Sequence, residues 1–270
     1  MDRIQEKAQQ EQAKEQIVIL RKAVEGLRPG SPEREAAAKK ALDSMIQTIN
    51  RDENRVAIWD FSAEKSRPVF ASNDAITLQP VTVSDADFYV GIRMQYSRMY
   101  RGIVASRGNS LNQELLRFDL CQKKSFFCIA DDCIACTHVG YIGIKDTGTP
   151  VWEIAIELDG QYTGRGFGPR CIGLFLNEVF RITGHTEFKA LVDTGNVPSQ
   201  KCFERIGARL IGLSDGTILK SEREKLQFEE NNLNLITDAM RSLASRMNVE
   251  PRKLLSHVLE YRLFCPLQFY

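Results

Sequence analysis

Two carboxylates stand four residues apart in the segment Trp152-Glu153-Ile-Ala-Ile-Glu157-Leu158. In a strand, alternate side chains share a face. Glu153 and Glu157 therefore project together, and Trp152, Ile154, Ile156 and Leu158 face the other way. A carboxylate on a central strand is costly to bury without a partner or a task. Either acid can take a proton from an attacking nucleophile, or serve as a hydrogen-bonded structural group. Just downstream lies Thr163-Gly-Arg-Gly-Phe-Gly168, followed by a helix predicted to open at about Pro169. A glycine turn between a strand and a helix N-terminus directs free backbone N–H groups and the positive end of a helix dipole at one point. That geometry suits a phosphate or pyrophosphate. Farther on, Asn196-Val-Pro-Ser199 opens another helix. Asn is a good N-cap. The Ser199 hydroxyl is either an ordinary first-turn serine or a proton donor to a departing anion.

Cys128, Cys133, Cys136 and His138 form a second chemical cluster. The Cys133-Ile-Ala-Cys136 spacing suits one half of a zinc knuckle, but no second Cys-x-x-Cys follows. The expectation is no metal. His138 reads as a polar strand residue, and His185 as a helix-end residue near free carbonyls.

These groups sit in an ordinary globular composition: 270 residues, 43% hydrophobic, 26% charged, net charge +1. A sizeable core is possible, and nothing in the charge predicts nucleic acid or an anionic membrane as partner. No apolar run approaches a transmembrane length. The polar N-terminus does not read as a secretory signal. Seven cysteines, odd in number and sparse, read as reduced thiols, so a cytoplasmic location is expected.

The elements that must position the chemistry follow from periodicity. Helices are predicted over 1–27 and 31–51, broken at Gly30-Ser31-Pro32, giving an N-terminal helical extension over 1–74. A first strand spans Ile76 to Val81. Ser84 then caps a helix carrying Phe88, Ile92 and Tyr96. An arginine-bearing loop occupies 98–109 and a second helix 111–123. Strands at 125–130 and 134–144 flank a turn at Asp131-Asp132. The strand ending at Leu158 follows, then the helix to Thr183 with Gly184 as its C-cap. Strands at 188–192 and 208–213 enclose the helix after Asn196. The tail predicts one long amphipathic helix over 221–247, and a second from Pro251 with Leu254, Leu255, Val258 and Leu259 inward. A closing strand is expected at about 262–269.

This order, with Gly164-Arg165-Gly166-Phe167-Gly168 and the later Asn196, Ser199, Glu204, Arg205 and Gly207, resembles the GNAT superfamily of acetyl-CoA-dependent N-acetyltransferases. The pattern Glu153-Ile-Ala-Ile-Glu-Leu158 and the Asn-x-x-Ser motif are similar to the ribosomal-protein N-terminal acetyltransferase branch. The resemblance covers about 75–213. It implies an α/β fold with a mixed central sheet flanked by helices. The acetyltransferase domain would span 75–270, with a helical insertion at about 216–260 before the last strand. It also implies acetyl-CoA as donor. Leu158, Thr163, Gly164, Arg165, Gly166, Phe167, Gly168, Asn196, Ser199 and Phe203 would hold the coenzyme. Glu153, Glu157 and Ser199 are the catalytic candidates, Glu153 being the better match to the family's strand. The acceptor would be a primary amine, on a small molecule or a protein N-terminus, entering near the 98–109 loop. Departures stand out as well: Thr163 replaces the usual Gln or Arg, Arg205 and Ala208 stand for the Lys and Phe of the later motif, and Phe203 stands near the usual tyrosine and lacks a hydroxyl. Thr163 and Phe203 leave open a non-catalytic acyl-CoA-binding sensor or scaffold. The amphipathic extensions also allow a homo-oligomer.

Overall fold

The computed structural model of the protein describes residues 69–97, 125–215 and 221–268, with positions 33, 101, 104, 105, 112 and 116. The helix predicted at 1–27, all but position 33 of that at 31–51, most of the 98–109 loop and most of the helix at 111–123 lie outside the described residues. The described chain builds one eight-stranded sheet. Its strands are β1 (Ala71–Ser72), β2 (Ile76–Pro80), β3 (Phe126–Asp132), β4 (Thr137–Asp146), β5 (Trp152–Leu158), β6 (Glu187–Asp193), β7 (Arg209–Asp215) and β8 (His257–Phe264). They lie in the order β1-β2-β3-β4-β5-β6-β8-β7. All pairs are antiparallel except β5 with β6. The sheet is therefore mixed and flanked by helices.

The sheet is buried on both faces, and β3 shows why. Its sequence Phe-Phe-Cys-Ile-Ala is apolar without alternation, as a doubly covered strand requires. Phe126, Cys128 and Ala130 join the core beneath helix α2 (Phe167–Thr183), where Phe175 and Leu176 are fully buried. Phe127 and Ile129 join a second core beneath helix α1 (Ala86–Tyr96), with Tyr89, Val90, Ile92 and Tyr141. Burying one such large apolar side chain contributes about 1.5–3 kcal/mol. Each face therefore holds its helix firmly. The sheet also begins before Ala75. Phe70 is buried against Phe126 and Phe175, with ring centroids 5.0 and 5.5 Å away, and Ala71 pairs with Leu78.

Several local expectations shift. Ser84 does not cap α1. A single 3-10 turn (Val83–Asp85) precedes the helix, and the Asp85 carboxylate accepts a hydrogen bond from the Thr82 N–H at 2.7 Å. Tyr96 is exposed rather than inward. The hairpin turn falls at Cys133–Cys136 instead of Asp131-Asp132, because β3 and β4 stay paired to Asp132↔Thr137. Helix α2 opens at Phe167, two residues before Pro169, and ends at Gly184, whose φ of 71° allows its N–H to reach the Phe180 carbonyl at 2.7 Å.

The tail differs most. After helix α3 (Val197–Arg205) and β7, the segment read as one long helix forms α4 (Glu222–Asn231), a 3-10 turn (Leu233–Leu235) and α5 (Asp238–Met247). Ser221 and Glu224 close a capping box on α4. Asn231-Asn232 and the Thr237 cap, which accepts from the Met240 N–H at 3.2 Å, break the run. The helix expected from Pro251 is a single turn, α6 (Lys253–Ser256). Val258 and Leu259 belong to β8, which starts at His257 rather than about 262. The alternation of buried Leu259, Tyr261 and Leu263 with Glu260 and Arg262 is a strand period that reaches back farther than the helical reading allowed. Strand β8 pairs with β6 on one side and β7 on the other, so it sits inside the sheet. Buried Lys225 anchors the insertion, donating to Asp215 at 2.6 Å and to Glu222 at 2.7 Å. The Ser256 hydroxyl donates to the buried Glu229 carboxylate.

Candidate active site

Strands β5 and β6 are seven residues each, yet they pair only at Trp152↔Phe188 and Glu153↔Lys189. Toward Leu158 and Asp193 they part. The outer neighbours do not follow: β4 stays paired with β5 to Gly140↔Leu158, and β6 with β8 to Asp193↔Val258. Parting therefore opens one wedge in the sheet, lined by backbone N–H and C=O groups of both strands. Such groups need partners. An extended ligand carrying amides can supply them as an added strand would.

The glycine turn and two helix N-termini meet at the mouth of this wedge, since α2 follows β5 and α3 follows β6. The turn is built from its own polar groups. Asp159 Oδ1 accepts from the Gln161 N–H at 3.0 Å, and the Thr163 hydroxyl donates to the Gly160 carbonyl at 2.8 Å. Thr163 thus takes a structural place where a longer polar side chain was expected. Gly164 and Gly166 have φ of 72° and 84°, a backbone region that L side chains rarely adopt. Gly168 is needed for a different reason: a Cβ there would lie 2.9 Å from Cys202 Sγ, where α2 packs on α3. No side chain caps α2, so its first N–H groups point into the turn with the helix dipole behind them. Arg165 adds a cation, its guanidinium lying 5.3 Å from the Tyr162 ring centroid and 5.9 Å from that of Phe167. These residues fit a pyrophosphate.

Across the wedge, Asn196 caps α3 by accepting from the Ser199 N–H at 3.1 Å. Its side-chain oxygen is engaged in the cap, and its amide nitrogen is a separate donor. Ser199 is half-buried in the first turn of α3. Phe203 is not at the wedge surface: it is buried and stacks on Tyr261 at 6.0 Å. The Tyr261 hydroxyl donates to Glu204 at 3.3 Å, and burial pushes its pKa up to about 12.

The two carboxylates of β5 lie at opposite ends of the strand. Glu153 is where β5 and β6 are still paired, and it binds the Lys145 ammonium at 2.6 Å. Glu157 is at the open end, next to Leu158 and the turn. Its Oε1 is paired with the Arg93 guanidinium of α1, and the Tyr141 hydroxyl lies beside it on the adjacent strand. Its Oε2 is buried and has no hydrogen-bond partner among the described residues. Burial raises the Glu157 pKa above the ordinary carboxylate value and outweighs the opposing effect of Arg93. The Tyr141 hydroxyl is pushed well above the usual tyrosine range, first by burial and then by Glu157.

The sequence reading did not place Arg93, Gln95, Tyr141 or the hydroxyl of Tyr96 at the site. Together they latch the last turn of α1 onto the end of β5. Tyr96 donates to the Leu158 carbonyl at 2.7 Å, and Gln95 accepts from the Gly160 N–H at 2.9 Å and donates to Asp159 at 3.1 Å. A local signal existed for Arg93, a cation beside the apolar face of a helix. Nothing local pointed to its partner. Within the expected arginine loop, Arg101 donates to the Met94 and Gln95 carbonyls at 3.0 and 3.1 Å, closing the C-terminus of α1. Cys128 is buried in the core, apart from the exposed Cys136. Among the described residues, no three His, Cys, Asp or Glu side chains converge as metal ligands. No described helix is long and apolar enough to cross a membrane.

Comparison with known proteins adds a family. The sequence profile of the acetyltransferase (GNAT) domain matches residues 75–209. No curated protein matches the chain. Among solved structures, a chimera of Vibrio cholerae spermidine N-acetyltransferase SpeG and hSSAT is 12% identical, covering 71% of this chain and 96% of its own, with a TM-score of 0.48. Mycobacterium smegmatis RimJ in complex with CoA-disulfide is 15% identical over 70% of this chain and 82% of its own, TM-score 0.47. The ribosomal-protein-S5-alanine acetyltransferase of Vibrio fischeri is 12% identical over 73% and 98%, TM-score 0.44. The profile covers half of the 270 residues and takes in the strand, the glycine turn and both helix N-termini of the wedge, so the chain belongs to the GNAT acetyltransferase family.

Proposed function

We propose that the protein transfers an acetyl group from acetyl-CoA to a primary amine, with the coenzyme in the β5–β6 wedge. The observation that carries this reading is the parting of the two parallel strands beside an uncapped helix N-terminus and a left-handed glycine turn. The backbone N–H groups from Gly164 to Gly168, aided by Arg165, bind the pyrophosphate. The exposed edges of β5 and β6, with the Asn196 amide, hydrogen-bond the amide-bearing arm. The bound coenzyme supplies an acetyl group activated as a thioester.

Glu157 then takes the proton that the amine must lose. Its placement at the open end of β5, the unpartnered Oε2 and the raised pKa all favour this role over Glu153, which is bound to Lys145. A carboxylate with a raised pKa is a stronger base once it is ionised. Arg93 is a positioning residue, pairing with Oε1 and leaving the buried Oε2 without a hydrogen-bond partner among the described residues. The Ser199 hydroxyl donates a proton or hydrogen bond to the departing thiolate, a role for which Phe203 has no group. The acceptor is an amine on a small molecule or a protein N-terminus.

The test is a pair of measurements on the full chain. Calorimetry reads coenzyme A binding, and thiol release from acetyl-CoA reads turnover across a panel of amines and peptides. Binding with amine-dependent turnover is expected. Binding with no turnover on any amine would instead place the chain with the non-catalytic acyl-CoA binders.

A further inference from the structure

The turn between β3 and β4 carries two thiols that acyl transfer does not use. Pairing of the strands runs to Asp132↔Thr137, so Cys133, Ile134, Ala135 and Cys136 are the whole connection. Cys133 and Cys136 each adjoin one of two residues that face each other across an antiparallel ladder, where Cα atoms are about 4.5–5.5 Å apart. A disulfide spans Cα atoms roughly 4.4–6.8 Å apart. Cys136 adopts a φ of 53°, a left-handed conformation uncommon for a residue with a Cβ. Its Sγ turns back toward the Cys133 carbonyl, at 3.7 Å. Asp132 Oδ1 accepts from the Ile134 and Ala135 N–H groups at 2.9 and 3.1 Å, so the turn is already ordered with both thiols reduced. The Cys133 thiol lies 3.2 Å from the Thr77 hydroxyl.

Access separates this pair from the three described cysteines that are buried, and a raised thiol pKa sets half-buried Cys202 apart. Cys136 is exposed and Cys133 half-buried, whereas Cys128, Cys171 and Cys265 are buried. Burial pushes the thiols of Cys171 and Cys202 up to about 12 and about 11, leaving little thiolate to react. We propose that Cys133 and Cys136 form a reversible dithiol–disulfide pair that exchanges with low-molecular-weight disulfides. One thiol loses its proton to water, and the thiolate attacks a sulfur of the small disulfide, expelling one small thiolate. The second protein thiol, also deprotonated, attacks the mixed disulfide and expels the other half. Two electrons pass from the protein pair to the small disulfide. The turn is tied to the glycine loop: Thr137, the residue after Cys136, shares a 2.6 Å hydrogen bond with the Tyr162 hydroxyl, and Arg165 lies against the Tyr162 ring. Closing the disulfide shifts Thr137 and, through Tyr162, weakens coenzyme binding. This last step rests on the proposed coenzyme site.

The full chain is incubated with oxidised glutathione, free thiols are blocked, and the peptides are read by mass spectrometry. A Cys133–Cys136 crosslink lacking two hydrogens is expected, reversed by reduced glutathione. Cys133→Ser and Cys136→Ser should each leave the remaining thiol as a glutathione adduct. Unreacted thiols, or two separate adducts on the unaltered protein, would overturn the pair. Coenzyme A affinity is then measured on both redox forms. Several-fold weaker binding after oxidation, absent in the doubly substituted chain, is expected, and equal affinities would overturn the connection through Tyr162. Coenzyme A binding to neither form would sink the coenzyme reading while the crosslink result still stood.

Discussion

Glu157 feels two opposed influences. Burial favours its neutral form, and the Arg93 guanidinium favours its charge, with burial the larger. As the proposed base it works only when ionised, so turnover rises as pH rises through its pKa. Because that pKa is raised, the acid limb of the kcat/KM profile should lie above the ordinary carboxylate range. Glu157→Gln should lower kcat by about 10²-fold or more while leaving coenzyme A affinity unchanged, and steady-state kinetics with calorimetry checks both. Arg93→Met removes the group that holds the pKa down. The acid limb should then move to higher pH, and an unmoved limb would show that Arg93 does not act on Glu157. Glu153→Gln should cost much less turnover than Glu157→Gln, because Glu153 sits where β5 and β6 remain paired. The two acids look alike in sequence, where strand alternation gives them one face. Their environments differ because the strands part between them and because α1 reaches only one of them.

At the scale of the element, the glycine turn was legible before any coordinates. Its signals are local: a strand ending at Leu158, glycines where φ turns positive, and an apolar period beginning at the helix. Each glycine nevertheless does a different job. Gly166→Ala places a Cβ in the left-handed region, which costs roughly 1–2 kcal/mol. A lower melting temperature and weaker coenzyme A binding are expected together. Gly168→Ala instead drives a Cβ into Cys202 Sγ. Overpacking of this kind costs about 1–3 kcal/mol. Thermal unfolding of Gly168→Ala, Cys202→Ala and the double variant should show coupling, with the double variant losing less than the sum of the singles. Simple additivity would mean that the two side chains do not meet. Boundaries were less legible: Ser84 has the chemistry of a cap, yet a 3-10 turn intervenes and Asp85 bonds the chain instead.

For the whole molecule, the position of β8 governs integrity. It lies between β6 and β7 and buries Leu259, Tyr261 and Leu263. A chain ending at Ser256 would lose an interior strand and leave two strand edges without partners. It should show no cooperative thermal transition by circular dichroism, and a sharp transition would argue that β8 is dispensable. The sequence alone determined strands β2 to β7, the glycine turn, the C-cap of α2, the N-cap of α3 and the family pattern. All of these depend on neighbours within a few residues, where backbone conformation and side-chain period are decided. Only the tertiary structure decided that β5 and β6 diverge, that β8 inserts between strands, and that Arg93 meets Glu157 across 64 residues of chain. Those facts depend on which distant surfaces pack together, and hydrophobic burial is proportional to area without naming the partner.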